Sequence, residues 1–216
     1  MPRVWILLPF KSEHCYRFMF AHLFDALQLQ FNITRNNIHW ATASIDFESG
    51  LIAVFRNYVK LELPGLVVEG CHFHYAQCLH RKLTSQEVGL GVHYNDRDCD
   101  LRRIIKMLFA LAFLPSDEVA ATFQDIILLE LRPPFCNDTG QLDDVRLEEF
   151  FQYYLNTWLG SAERLAMFNC FHRQDHRTNN YLEGFHNKLQ KSMKSSHPNL
   201  WKFIDCIKGI ISICIL

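Results

Sequence analysis

The chain has 216 residues, 49% of them hydrophobic and 21% charged, with a net charge of −1. That balance suits a packed core and excludes a disordered chain; the near-zero charge excludes a globally basic nucleic-acid binder, so any phosphate contact must come from a local patch. No apolar run reaches the roughly 18 residues that cross a bilayer, so no membrane partner is expected, and eight irregularly spaced cysteines read as reduced thiols.

Val4 to Pro9 is an apolar run closed by proline and reads as a buried strand. Ser12 to Gln28 has helical spacing at Cys15, Phe18, Met19, Leu23 and Leu27. Ile38 to Ile45 reads as a second strand, with Asp46 where a helix cap belongs. Phe47, Leu51, Val54, Phe55 and Tyr58 then share one helical face. Leu66 to Glu69 reads as a third strand, broken by Gly70, and Cys71 to Lys82 as a helix. The alternation of strands and helices predicts an α/β layer architecture up to about residue 90. From Leu101 to Gly160 the pattern is helical throughout. Pro115-Ser116 starts one helix, Pro133-Pro134 makes a break, and a further helix buries Val145, Phe150, Tyr154 and Trp158. A helix from Asn180 to about Ser195 ends at His197-Pro198, and Leu200 to Lys208 forms one more.

Three places carry residue types suited to chemistry. Asp46 stands at the C-terminal end of the second strand, where a carboxylate is fixed by the strand yet open to a phosphate and to Mg²⁺. The plainer reading of Asp46 is a helix cap. Cys71 and His74 are three residues apart and share one side of a helical turn. Thiolate and imidazole suit zinc, although Cys78 and His80 complete no clear four-ligand spacing; the plainer reading is packing at a strand–helix junction. The third place is Arg177 to His186. Asn180 and Glu183 have capping-box spacing, while Glu183 and His186 share a helix face. Around them Arg173, Arg177, Lys188, Lys191 and Lys194 face Asp175 and Glu183, five cations against two carboxylates. That patch is either a phosphate contact or a solvated helix face.

In chain order, several stretches resemble the Mutator-like (MULE) transposase domain. Val4-Trp5-Ile6-Leu7-Leu8-Pro9-Phe10-Lys11-Ser12 is similar to its strand ending in LLP-x-K, Asp46-Phe47-Glu48 to its DFE, and Gly70 to Tyr75 to its GC-x-FH. Leu111 to Pro115 resembles LAFVP, Arg177 to His186 resembles RTNN-x-x-E-G-x-H, and His197 to Leu200 resembles HPNL. The similarity runs from about Val4 to Lys208.

The resemblance implies an α/β fold with an incomplete ribonuclease-H-like sheet, its first strands missing, and a large all-helical insertion. The implied division is a partial ribonuclease-H-like part (1–95), a helical insertion (96–165), a C-terminal catalytic-helix segment (166–208) and an atypical apolar tail (209–216). It also implies metal-dependent DDE cleavage of DNA and strand transfer. Asp46 and Glu183 would be the catalytic carboxylates holding Mg²⁺ or Mn²⁺, and Cys71 and His74 a Cys-x-x-His pair for which zinc is the candidate. Arg177, Asn179, Asn180, His186 and Lys188 are the expected DNA contacts. DNA is the implied partner and the nucleus the implied location. The family's first aspartate lies on a strand ahead of the Val4 strand, and Met1 to Arg3 leave no room for it. The expectation is therefore a chain impaired in cleavage, completed by a homo-oligomer or a partner supplying strands. Phe168-Asn169 stands where the family has Trp-Asn, and Gly209 to Leu216 where it has a polar helix. The alternatives are a transposase-derived module that binds DNA or protein without catalysis, and a zinc-stabilised interaction module built on Cys71 and His74.

Overall fold

Ser12 fixes the start of the first helix, α1 (Glu13–Phe31), by accepting the Cys15 N–H at its hydroxyl. Asn32 ends it in left-handed backbone, φ 55°, so that the N–H groups of Asn32 and Ile33 reach the carbonyls of Gln28 and Leu27. The computed structural model describes residues 8–97, 100–127, 145–173, 177–178, 180–193 and 199–213, together with Ile6. The chain divides into two units, Leu8–Thr178 and a smaller one made of Met1–Leu7 with Asn179–Leu216.

In the larger unit, α1 buries Phe20 and Phe24. Phe18, expected on the inner face, is exposed. It lies two residues from Phe20, about 200° round the helix, and so points away from that stripe. Two strands follow, β1 (Thr42–Ile45) and β2 (Val67–Gly70), paired in parallel with Thr42 opposite Val67 and Ile45 opposite Gly70. Parallel strands need a crossover. Here it is helical: α2 (Ser49–Val54), a wide π-type turn (Phe55–Val59) and α3 (Lys60–Glu62). Ile45, Ile52, Val54, Phe55, Val59, Leu63 and Leu66 pack with Phe20, Phe24 and Met167 into one core. Gly70 does not break β2 but is its last paired residue.

A second and larger core is all-helical. It is built by α4 (His72–Leu83), α5 (Gly91–Asn95), α6 (Asp100–Ala110) with a tight turn Leu111–Phe113, α7 (Val119–Asp125), α8 (Val145–Tyr154) with a π-type turn Leu155–Leu159, and α9 (Ala162–Phe168). Its centre is aromatic. Tyr75 stacks on Phe168 and Phe123 on Tyr154, each with ring centroids 4.8 Å apart, and Trp158 meets Tyr75 edge-on at 4.7 Å. The buried Tyr75 hydroxyl lies 2.7 Å from that of Tyr154 and donates to the Leu108 carbonyl at 2.8 Å, so its polar atom is satisfied. Val145, expected inside, is 78% exposed. Leu147, Phe150, Phe151 and Tyr154 take the inner face of α8 instead.

The described residues are mostly helical, with a two-stranded parallel sheet, which is compatible with the α/β class. The expected Val4 to Pro9 strand lies largely outside them, as do Pro133-Pro134 and His197-Pro198; described Leu8 and Pro9 are not in a strand. In the smaller unit α10 (Asn180–Met193) and α11 (Leu200–Ile213) pack through Leu189, Met193 and Ile207, with Phe203 and Cys206 alongside. The helix expected to stop at Lys208 continues to Ile213. Among the described residues no helix is long and apolar enough to cross a membrane.

Candidate metal centre

The strand pairing creates this site. Ile45 and Gly70 are opposite each other in parallel strands, so the next residues, Asp46 and Cys71, leave the sheet side by side. The Cys71 N–H donates to the Ile45 carbonyl at 2.9 Å and locks that placement. Cys71 then caps α4, and His74 follows it in the first turn of that helix. The Nδ1 of His74 lies 3.0 Å from Oδ1 of Asp46, an ion pair when the imidazole carries a proton. One ligand atom from each of Asp46, Cys71 and His74 falls within 4.8 Å of the others. Cys71 is buried, and Asp46 and His74 are half-buried.

The surroundings hold these residues in place. A Cβ on Gly70 would come within 2.1 Å of the Phe47 ring, so only glycine lets Phe47 lie over the end of β2. Phe47 in turn meets Trp158 edge-on at 4.9 Å, with the Arg164 guanidinium 5.7 Å from both ring centres. Buried Arg173 donates to the Gly70 carbonyl at 2.7 Å and to the Met167 carbonyl at 2.5 Å, tying the end of β2 to α9. Glu48 accepts hydrogen bonds from Lys11 and from the Tyr16 hydroxyl. Burial alone would raise the Glu48 carboxyl, but those bonds and the Lys11 charge outweigh it and hold it below its ordinary range. Asp46 therefore does not cap α2: Glu48 occupies the cap position, and its carboxylate is turned to Lys11 and Tyr16.

Burial favours the neutral form of two neighbouring groups. Burial, reinforced by the charges of Arg173 and Arg177, pushes the His72 imidazole down. Burial also pushes the Cys78 thiol up, one turn beyond His74. Its sulfur is not among the clustered ligand atoms.

The donor set fits a transition-type divalent ion. A tetrahedral zinc holds nitrogen and oxygen at about 2.0–2.2 Å and sulfur at about 2.3 Å, which puts ligand atoms roughly 3.3–3.8 Å apart. The three donors need only small side-chain movements to meet that spacing. Carboxylate, imidazole and thiolate are zinc's usual ligands, and three of them leave a fourth position open. Mg²⁺ prefers oxygen, and of the three only Asp46 offers it. Asp46 and the Cys71–His74 pair, expected to serve two different metals, thus converge in one cluster.

The remaining expected site residues divide between the two units. Glu183, Asn180 and His186 belong to α10 in the smaller unit, and their side chains lie outside the described residues, as does Asn179 altogether. Lys188 is exposed on the same helix. Arg177 belongs to the larger unit; its Nε donates to the Arg173 carbonyl and its guanidinium lies 5.4 Å from the Phe113 ring centre. Arg173 is no part of a surface patch, since its charge is buried against backbone carbonyls and Glu69. The resemblance implies a Cys-x-x-His turn close to Asp46, as found, but it does not single out the His74–Asp46 contact. The signal for that contact was that each half of the cluster directly follows a strand of the same length and direction. No family model, curated protein or solved structure matches the chain.

Proposed function

We propose that this chain is a domain of the Mutator-like transposase type, with a ribonuclease-H-like ancestry, whose ancestral chemistry is metal-dependent phosphoryl transfer on DNA. The observation that carries the reading is the Asp46 carboxylate at the C-terminal end of β1, with the Cys71 thiol and the His74 imidazole beside it. The resemblance in six ordered motifs supports it, and supplies Glu183 as the further carboxylate.

The chain's own residues would act as follows. Asp46 would hold the ion together with Cys71 and His74, whose Nδ1 stands 3.0 Å from Asp46 Oδ1. Phe47, next in the chain, is held by packing on Gly70 and Trp158. A bound divalent ion supplies charge stabilisation for the attacking and leaving oxygens of an in-line displacement. A second reading is favoured by the buried thiol of Cys71. In it zinc is structural, and the chain binds DNA or protein without cutting.

The test uses the full chain. Co²⁺ titration should give a thiolate charge-transfer band, lost in Cys71→Ser and weakened in Asp46→Asn. Any nicking of a labelled duplex by the parent with Mn²⁺ or Mg²⁺ should be abolished by Asp46→Asn. Nicking at equal rates by both proteins would sink the role given to Asp46. Metal binding with no cleavage under any ion would select the second reading.

A further inference from the structure

We propose that the basic groove along α6 seats the phosphodiester backbone of duplex DNA. This inference rests on the DNA-processing reading above and gives that partner a place on the surface. The groove measures about 500 Å³ and is lined by Arg97, Arg102, Arg103 and Lys106 against a single carboxylate, Asp100. The chain as a whole has a net charge of −1, so four cations in one concavity are a local concentration.

The helix is built to present them. Leu101, Ile104, Ile105 and Leu108 are fully buried and clamp α6 to the helical core. Arg103 and Lys106 are exposed on the other side. Three residues apart, they share a face and stand about 4.5 Å apart along the axis. The Arg102 guanidinium lies 5.8 Å from the Tyr94 ring centre, which restrains its direction. Arg103 and Asp100 approach to 3.7 Å with both side chains about half exposed, a solvent-screened pair that a phosphate can displace. In the sequence Asp96 and Asp98 flank Arg97, so Arg102, Arg103 and Lys106 carry most of the attraction.

The chemistry selects the partner. A row of cations on one helix suits a polyanion whose charges recur at fixed intervals, as in duplex DNA. A membrane-surface helix would also need large apolar side chains to bury in lipid. Among the described residues from Arg97 to Ala110 no large hydrophobic is exposed.

The experiment measures anisotropy of a fluorescein-labelled duplex with the full chain in EDTA, from 50 to 200 mM salt. Arg102→Gln/Arg103→Gln/Lys106→Gln should weaken binding at least ~10-fold and lower the salt slope by about 2.7, at ~0.9 per lost phosphate contact. Should the triple variant melt early, Arg103→Gln/Lys106→Gln, both solvent-facing, should lower the slope by about 1.8. Equal affinity and slope in parent and variants, or no duplex binding by the parent, would overturn the groove while leaving the metal centre to its own titration. Co-sedimentation with phosphatidylserine vesicles, lost on the same substitutions and without duplex binding, would also overturn it. Loss of duplex binding in the triple variant alongside unaltered metal binding in Asp46→Asn would uphold the groove and remove Asp46 from the metal site.

Discussion

The helical core around Trp158 and the corner at the ends of β1 and β2 share one helix, α4, yet they are built on different principles. In the core, α4 contributes Tyr75, Leu79 and Leu83, all fully buried, to a dense aromatic and aliphatic cluster. At the corner the same helix offers His74, half-buried and polar, to Asp46. The first region derives its strength from apolar area removed from water. The second is positioned by backbone pairing and by a few polar contacts. Stability and chemistry should therefore be separable by substitution, although the two regions are adjacent along one helix.

Trp158→Ala attacks the core and should have the largest effect. It removes a fully buried ring that meets Tyr75, Phe47 and Phe168, and should cost about 3–5 kcal/mol by urea unfolding. A loss below about 1 kcal/mol would mean that this region is not the packed heart of the chain. Gly70→Ala lies on the border between the regions. The added methyl overlaps Phe47 and should cost about 1–3 kcal/mol, while also loosening the loop that carries Asp46. If metal affinity is unchanged in that variant, the Phe47 packing has no part in placing the carboxylate.

A pH titration separates the regions by charge. Burial, and the coupling of each hydroxyl to the other, raises Tyr75 above the ordinary tyrosine value of 10.0, and burial likewise raises Tyr154. Both groups thus favour the neutral form in the fold. The stability this gives is fully present below pH 10 and is lost as pH rises towards the folded-state values, by roughly 1 kcal/mol per unit. Denaturant midpoints measured between pH 9 and 11 should fall, and Tyr75→Phe should flatten the fall. The smallest effect on stability belongs to Asp46→Asn. Its contact with His74 is half-exposed, so the loss should stay under about 1 kcal/mol even as metal binding weakens. A large loss of stability would make Asp46 a structural residue.

Much of this was legible in the sequence. The two strands, the long first helix and the helix after Cys71 are marked by apolar period and by capping residues, and they stand close to where expected. Cys71 and His74 were readable as neighbours because three residues make almost one helical turn. Other features depend on contacts distant in sequence. Nothing local shows that Asp46 meets His74, 28 positions on, since parallel pairing decides it. Arg173 looks like a surface cation, and only the carbonyls of Gly70 and Met167 reveal it as a buried clamp. Val145 fits a helical stripe by residue type, but it stands in the first turn of α8, before the inner face begins.

The matched ends of the two strands have a further implication. The spacing between the oxygen of Asp46 and the sulfur of Cys71 is set by main-chain register, not by how the interior is filled. Homologous chains could exchange many interior side chains and keep the donors adjacent. A single residue added to or deleted from one strand alone would shift one donor by roughly 3.3 Å along the sheet and turn it to the opposite face. Length within Thr42–Ile45 and Val67–Gly70 should accordingly be held more strictly than composition.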